Sequence, residues 1–116
     1  MSKYILPLPP PINSTYRAAY RPNLGRTAFF MDSKAKDWKT EAQWLLKKES
    51  KLIEGEVAVS VIWYLRRDRD VDSGLKLLLD ALQGALIVDD AQVIVLHASK
   101  VKAEKEPHCE IEVNEV

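Results

Sequence analysis

Residues 66–76 read Arg-Arg-Asp-Arg-Asp-Val-Asp-Ser-Gly-Leu-Lys, placing Asp68, Asp70 and Asp72 at alternate positions among Arg66, Arg67 and Arg69. Carboxylates this close repel one another unless a cation or a basic partner offsets them. Magnesium suits such a set, because it takes oxygen ligands from a few carboxylates together with waters and substrate phosphates. In extended chain Asp70 and Asp72 would point the same way. Lys76 lies one helical turn beyond Asp72, and the pair Asp89–Asp90 opens the turn after the same apolar segment. A cation held there would polarise a phosphodiester or activate a water for in-line attack. The three arginines, with a basic loop nearer the N-terminus, would hold the flanking phosphates.

Plainer roles compete with each part. Asp72 and Asp80, four residues either side of Lys76, make surface ion pairs worth about a few tenths of a kcal/mol. Asp72 or Ser73 serves as a helix N-cap, and Asp89–Asp90 as an ordinary turn. Taken singly, each feature is better explained structurally; together, at both ends of one helix, they favour function. An EF-hand loop fails, since its sixth position is Ser73 where glycine is required and its twelfth is Leu79 where glutamate belongs. A phosphatase with an aspartyl nucleophile, on a larger doubly wound fold, needs more βα units than this chain supplies; it stays as a weak alternative.

The elements that must position these residues follow from periodicity. Residues 3–8 suggest a short strand, ended by Pro9, Pro10 and Pro11, which remove backbone donors. From Ile12 to Phe30 the chain is basic and rich in turn formers, with a short strand expected at 27–31. Asp32 or Ser33 is a plausible cap for a helix over 34–50, whose apolar face is Ala35, Trp38, Ala42, Leu45 and Leu46. The unbroken apolar run 57–65 predicts a strand covered on both sides near the sheet centre. A second helix is expected over 73–86, burying Leu75, Leu78, Leu79, Leu82 and Leu86 and turning Lys76, Asp80 and Gln83 outward. Strands at 92–102 and 108–113 complete the order, the last alternating Cys109, Ile111 and Val113 against Glu110, Glu112 and Asn114. The fold class expected is α+β, a mixed sheet of about four strands with two main helices. The carboxyl end of a strand, where the aspartates fall, is the usual place for a site in such sheets.

At 116 residues the chain is long enough for one core and one domain, 1–116. Its 47% hydrophobic and 29% charged residues exclude a disordered chain. No apolar run spans a bilayer and no signal-peptide core is visible, so a cytoplasmic protein is expected. The single cysteine, Cys109, excludes an intramolecular disulfide and reads as a small buried residue. The formal net charge is zero, yet residues 1–40 carry seven cations against two acids and residues 104–116 five glutamates against one lysine. Zero net charge therefore does not argue against a polyanionic partner.

Residues 70–93, DVDSGLKLLLDALQGALIVDDAQV, resemble the RusA family of Holliday junction resolvases, common in bacteria, prophages and phages. The family pattern is Asp-x-Asp-Asn, a lysine four residues after the second Asp, a helix containing Asp-Ala-Leu, then Asp-Asp-Ala-Gln-Val; residues 7–17, PLPPPINSTYR, resemble its Pro-Pro-x-x-Asn-x-x-Tyr opening. The resemblance implies a magnesium-dependent, dimeric endonuclease that resolves four-way DNA junctions by paired symmetric nicks, with no membrane partner and no small organic cofactor. It implies that Asp70, Asp72 and Asp90 bind Mg²⁺, or Mn²⁺ in its place, and that Lys76 stabilises charge developing on the phosphate being cut. Arg69, Arg67, Asn13, Arg17 and Arg26 would contact DNA, and Ser73, Asp80 and Asp89 would support the metal ligands. One position departs from the pattern: Ser73 stands where the family has asparagine. Serine can still cap the helix, but a looser metal geometry would follow if the amide orients a ligand, so a junction-binding relative with weak catalysis is the alternative. His97 and His108 have no place in the family site.

Overall fold

A computed structural model describes residues 2–10, 16–21, 26–31, 33–47 and 51–116. The chain forms β1 (Ser2–Leu6), β2 (Tyr16–Arg21), β3 (Arg26–Met31), α1 (Ser33–Leu46), β4 (Val57–Leu65), α2 (Leu75–Leu82), β5 (Val93–Lys102) and β6 (His108–Glu115). Four strands make a mixed sheet in the order β1-β6-β4-β5. β6 runs antiparallel to both β1 and β4, whereas β5 runs parallel to β4 along the full length of that strand. Strands β2 and β3 form a separate antiparallel hairpin. The expected α+β class, with four strands and two helices, is what the chain adopts.

The apolar run of β4 makes it a central strand, yet its burial alternates strictly. Val57, Val59, Val61, Trp63 and Leu65 are buried, while the residues between them are half-exposed. Among the described residues only one face of the sheet is fully covered, which corrects the expectation of cover on both. That covered face, with Cys109, Ile111 and Val113 of β6, joins Ala35, Trp38, Ala42 and Leu46 of α1 and Leu77, Leu78, Ala81 and Leu82 of α2 in one core. Each fully buried leucine there contributes roughly 1.5–3 kcal/mol by leaving water. β5 forms the sheet edge, and Ile94, Val95, Leu96 and Val101 on it stay largely exposed.

Helix α2 is shorter than its leucine pattern suggests. It begins after Gly74, which adopts φ 93° and provides no side-chain cap, so neither Asp72 nor Ser73 is the N-cap. It ends at Leu82, because Gln83 turns extended and Gly84 takes φ 84°. Burial nevertheless continues through Ala85, Leu86 and Ile87, which explains why the apolar pattern overruns the helix. Within the helix Leu75 and Leu79 are only half-buried and Leu77 takes the core position. In α1, likewise, Leu45 is exposed and the helix stops at Leu46.

Gly74 is fixed by its surroundings as well as by its backbone. A Cβ built there would lie 2.6 Å from Pro9 Cγ, a rigid ring atom that cannot swing aside. The proline segment is itself anchored: Trp38 Nε1 donates to the Pro7 carbonyl at 2.8 Å, and Cys109 Sγ approaches the same oxygen at 3.7 Å. Gly74→Ala is therefore expected to cost roughly 2–4 kcal/mol, from the left-handed backbone plus overpacking. Urea unfolding measures this, and a loss under about 1 kcal/mol would show that the proline segment yields.

Candidate active site

The segment after β4 does not continue as extended chain. The Ser73 amide donates to the Asp70 carbonyl (3.0 Å) and the Leu75 amide to the Asp72 carbonyl (3.1 Å), so two successive turns lead into α2. Strand alternation thus does not orient Asp70 and Asp72. Both are exposed at the carboxyl end of β4, ahead of the first turn of the helix that carries Lys76, also exposed. Ser73, immediately after Asp72, is 6% exposed and is the one buried polar residue among those described.

Long-range contacts hold this turn. Trp63, buried in β4, donates its indole N–H to the Val71 carbonyl at 2.7 Å, tying the residue between the two aspartates to the core. Lys100 of β5 donates to Asp68 Oδ1 (2.8 Å) and to the Arg69 carbonyl (3.0 Å). Arg69 in turn donates Nη1 to the Pro9 carbonyl at 2.6 Å. Its guanidinium is partly buried, and desolvation lowers its pKa. Arg67 is exposed. Arg17 and Arg26 lie on β2 and β3, opposite Phe30 and Arg21, with their side chains outside the described residues, as is Asn13.

The second acidic group sits at the other end of α2, where β5 begins beside the start of β4. Asp90–Gln92 form a single 3-10 turn capped by Asp89, whose carboxylate accepts from the Ala91 amide at 3.0 Å. Gln92 closes the cap by accepting from the Val88 (2.8 Å) and Asp89 (2.9 Å) amides. Its amide nitrogen meanwhile donates to the Ile53 and Gly55 carbonyls, both at 2.7 Å. Backbone donation from Ala91, then a hydrogen bond with Asp90, lowers the pKa of Asp89. That hydrogen bond raises the pKa of Asp90, with smaller contributions from desolvation and the negative charges of Asp89 and Asp80, opposed by Lys76. Asp90, Asp80 and Lys76 therefore share one electrostatic neighbourhood along α2. Among the described residues no three His, Cys, Asp or Glu side chains are grouped so as to hold a metal ion. The exposed pair Asp70–Asp72 still fits magnesium in donor chemistry, since that ion is usually held by one or two carboxylates plus waters and substrate phosphates.

Three residues have positioning roles that the sequence reading does not give them: Trp63, Lys100 and Gln92. The first two act through contacts that no local pattern signals. Gln92 carried a readable sign, the Asp-x-x-Gln spacing of a capping box.

The chain thus places an exposed acidic turn after β4, a lysine on the helix that follows and a capped Asp–Asp turn beyond that helix. Residues 9–114 match the family described as "Endodeoxyribonuclease RusA". The chain is also 33% identical, over 107 residues, to the "Crossover junction endodeoxyribonuclease RusA" of Aquifex aeolicus (strain VF5), covering 88% of this chain and 80% of that relative. The chain belongs to the RusA family of endodeoxyribonucleases. No helix among the described residues is long and apolar enough to cross a membrane.

The Lys100 contact has a measurable consequence. The Asp68 carboxyl is held below its ordinary value chiefly by the hydrogen bond and charge of Lys100. A depressed carboxylate contributes stability above its unfolded-state pKa, and that contribution disappears as pH falls through the folded pKa. Lys100→Met is expected to return Asp68 to the ordinary carboxylate range. NMR titration of the side-chain carboxyl carbon reads this, and an unchanged midpoint would mean that the ion pair does not persist in solution.

Proposed function

We propose that the chain is a magnesium-dependent endonuclease that resolves branched DNA, with Asp70, Asp72 and Asp90 as metal-binding carboxylates. The observation that carries this reading is the acidic turn at the carboxyl end of β4, braced by Trp63 and followed by Lys76, in a chain of the RusA family. Asp70 and Asp72 provide oxygen donors toward the scissile phosphate; Asp90, on the far side of the Lys76 neighbourhood, adds a third carboxylate. A bound Mg²⁺, or Mn²⁺, supplies Lewis acidity and a more acidic water. Lys76 places a positive charge where negative charge builds on the cleaved phosphate. Asp80 and Asp89 set the field around Asp90, and buried Ser73 supports the turn in place of the family's asparagine. Arg67, Arg69, Asn13, Arg17 and Arg26 hold flanking phosphates, which position the DNA without reading its sequence. The working unit is a cytoplasmic homodimer, whose two-fold axis matches paired nicks in two symmetric strands.

The test is nicking of a labelled four-way junction, with and without Mg²⁺, by wild type and Asp70→Asn. Paired symmetric cuts that require metal and fall at least a hundredfold in the variant, with junction binding retained, support the assignment. Binding without cutting by the wild type would identify a junction binder instead, with Ser73→Asn as the variant to restore activity. Turnover of a chromogenic phosphomonoester without DNA affinity would point to a phosphatase.

A further inference from the structure

At the carboxyl ends of the parallel pair, β4 and β5 border an open cleft of about 310 Å³ lined by Leu65, Arg66, Asp68, Lys100, Val101 and Lys102. Lys100 and Lys102 stand two apart on β5, in register with Trp63 and Leu65, so they share the side of the sheet that the core packs against. Three cations face one carboxylate here, and that carboxylate is already bound by Lys100. Arg66 and Lys102 are exposed and have no ion-pair partner among the described residues. Two further acids, Glu104 and Glu106, line a neighbouring hollow with Tyr64 and His108, which Lys102 also borders. In a chain whose formal charges sum to zero, a cleft with two uncompensated cations marks a surface suited to an anion.

The cleft also adjoins the acidic turn, because Lys100 holds both Asp68 and the Arg69 carbonyl, the residue immediately before Asp70. Its shape favours an extended polyanion over a small phosphate. It is open, and its donors are charged ends of long side chains without a converging set of backbone amides. Resting on the nuclease reading above, we propose that Arg66 and Lys102, with Lys100 as the link to the acidic turn, bind the phosphodiester backbone of the DNA arm next to the cleavage site. These contacts neutralise phosphates and carry no base or junction selectivity. Lys100 acts as a positioning residue, and Lys102 and Arg66 make the phosphate contacts.

Fluorescence anisotropy of a labelled four-way junction and of a duplex of the same sequence, in metal-free buffer over a range of salt, tests this. The proteins are wild type, Arg66→Gln/Lys102→Gln, and Lys51→Gln, which removes one cation at the opposite end of β4. Each phosphate contact adds about 0.9 to the slope of log affinity against log salt, so the double variant should lose about 1.8 of slope on both DNAs. Between 50 and 200 mM salt, wild-type affinity should therefore fall roughly tenfold further than that of the double variant. Lys51→Gln should keep the wild-type slope. Thermal melts of all three check folding, and Arg66→Ala/Lys102→Ala should reproduce the slope change. An unchanged slope in the double variants, or an equal loss in Lys51→Gln, overturns the cleft as a backbone site even if wild type cuts junctions. A wild type that binds neither DNA overturns the nuclease reading, and this proposal with it.

Discussion

One hydrogen bond connects the core to the acidic turn: the indole N–H of Trp63 to the carbonyl of Val71, at 2.7 Å. Trp63 is 2% exposed, packed on the covered face of β4, so its ring cannot move without disturbing the core. An indole donor at such depth needs a partner, and the acceptor it finds is the peptide between Asp70 and Asp72. The backbone that carries two exposed carboxylates is thereby tied to a residue of the core. The remaining braces, Lys100 from β5 and Arg69 against Pro9, tie the same turn to the sheet edge and to the segment after β1.

This arrangement resolves the conflict posed by alternating charges in residues 66–72. The cations and anions do not simply neutralise their sequence neighbours. Lys100, 32 residues from Asp68, takes its carboxylate, and Arg69 spends one donor on a backbone carbonyl. Asp70 and Asp72 are left at the surface, open to water, which is what the proposed magnesium role requires of them. At the far end of α2, Gln92 performs the equivalent service, fastening the Asp89–Asp90 turn to the carbonyls that precede β4.

Strand β6 was legible residue by residue, because a half-buried strand writes its period of two directly into composition. Strand β2 was not: Tyr-Arg-Ala-Ala-Tyr-Arg has no β-branched residue and no clean alternation, and it pairs only with its hairpin partner. The leucine run set the start and end of α2 wrongly, since Gly74 and Gly84 enforce boundaries that burial ignores. For the candidate site, residue types and spacing pointed to Asp70, Asp72, Lys76 and the Asp89–Asp90 turn, whose roles stand as a proposal. They could not disclose Trp63 or Lys100, whose roles exist only once β4, β5 and the turn meet in space.

Cys109 carries a practical corollary. It is fully buried in β6, and burial pushes its thiol pKa up to about 12, leaving essentially no thiolate at neutral pH. The folded protein therefore presents alkylating reagents with no competing native thiol. A cysteine introduced on any exposed position could carry a fluorophore or spin label at a single address, with the natural sequence otherwise intact.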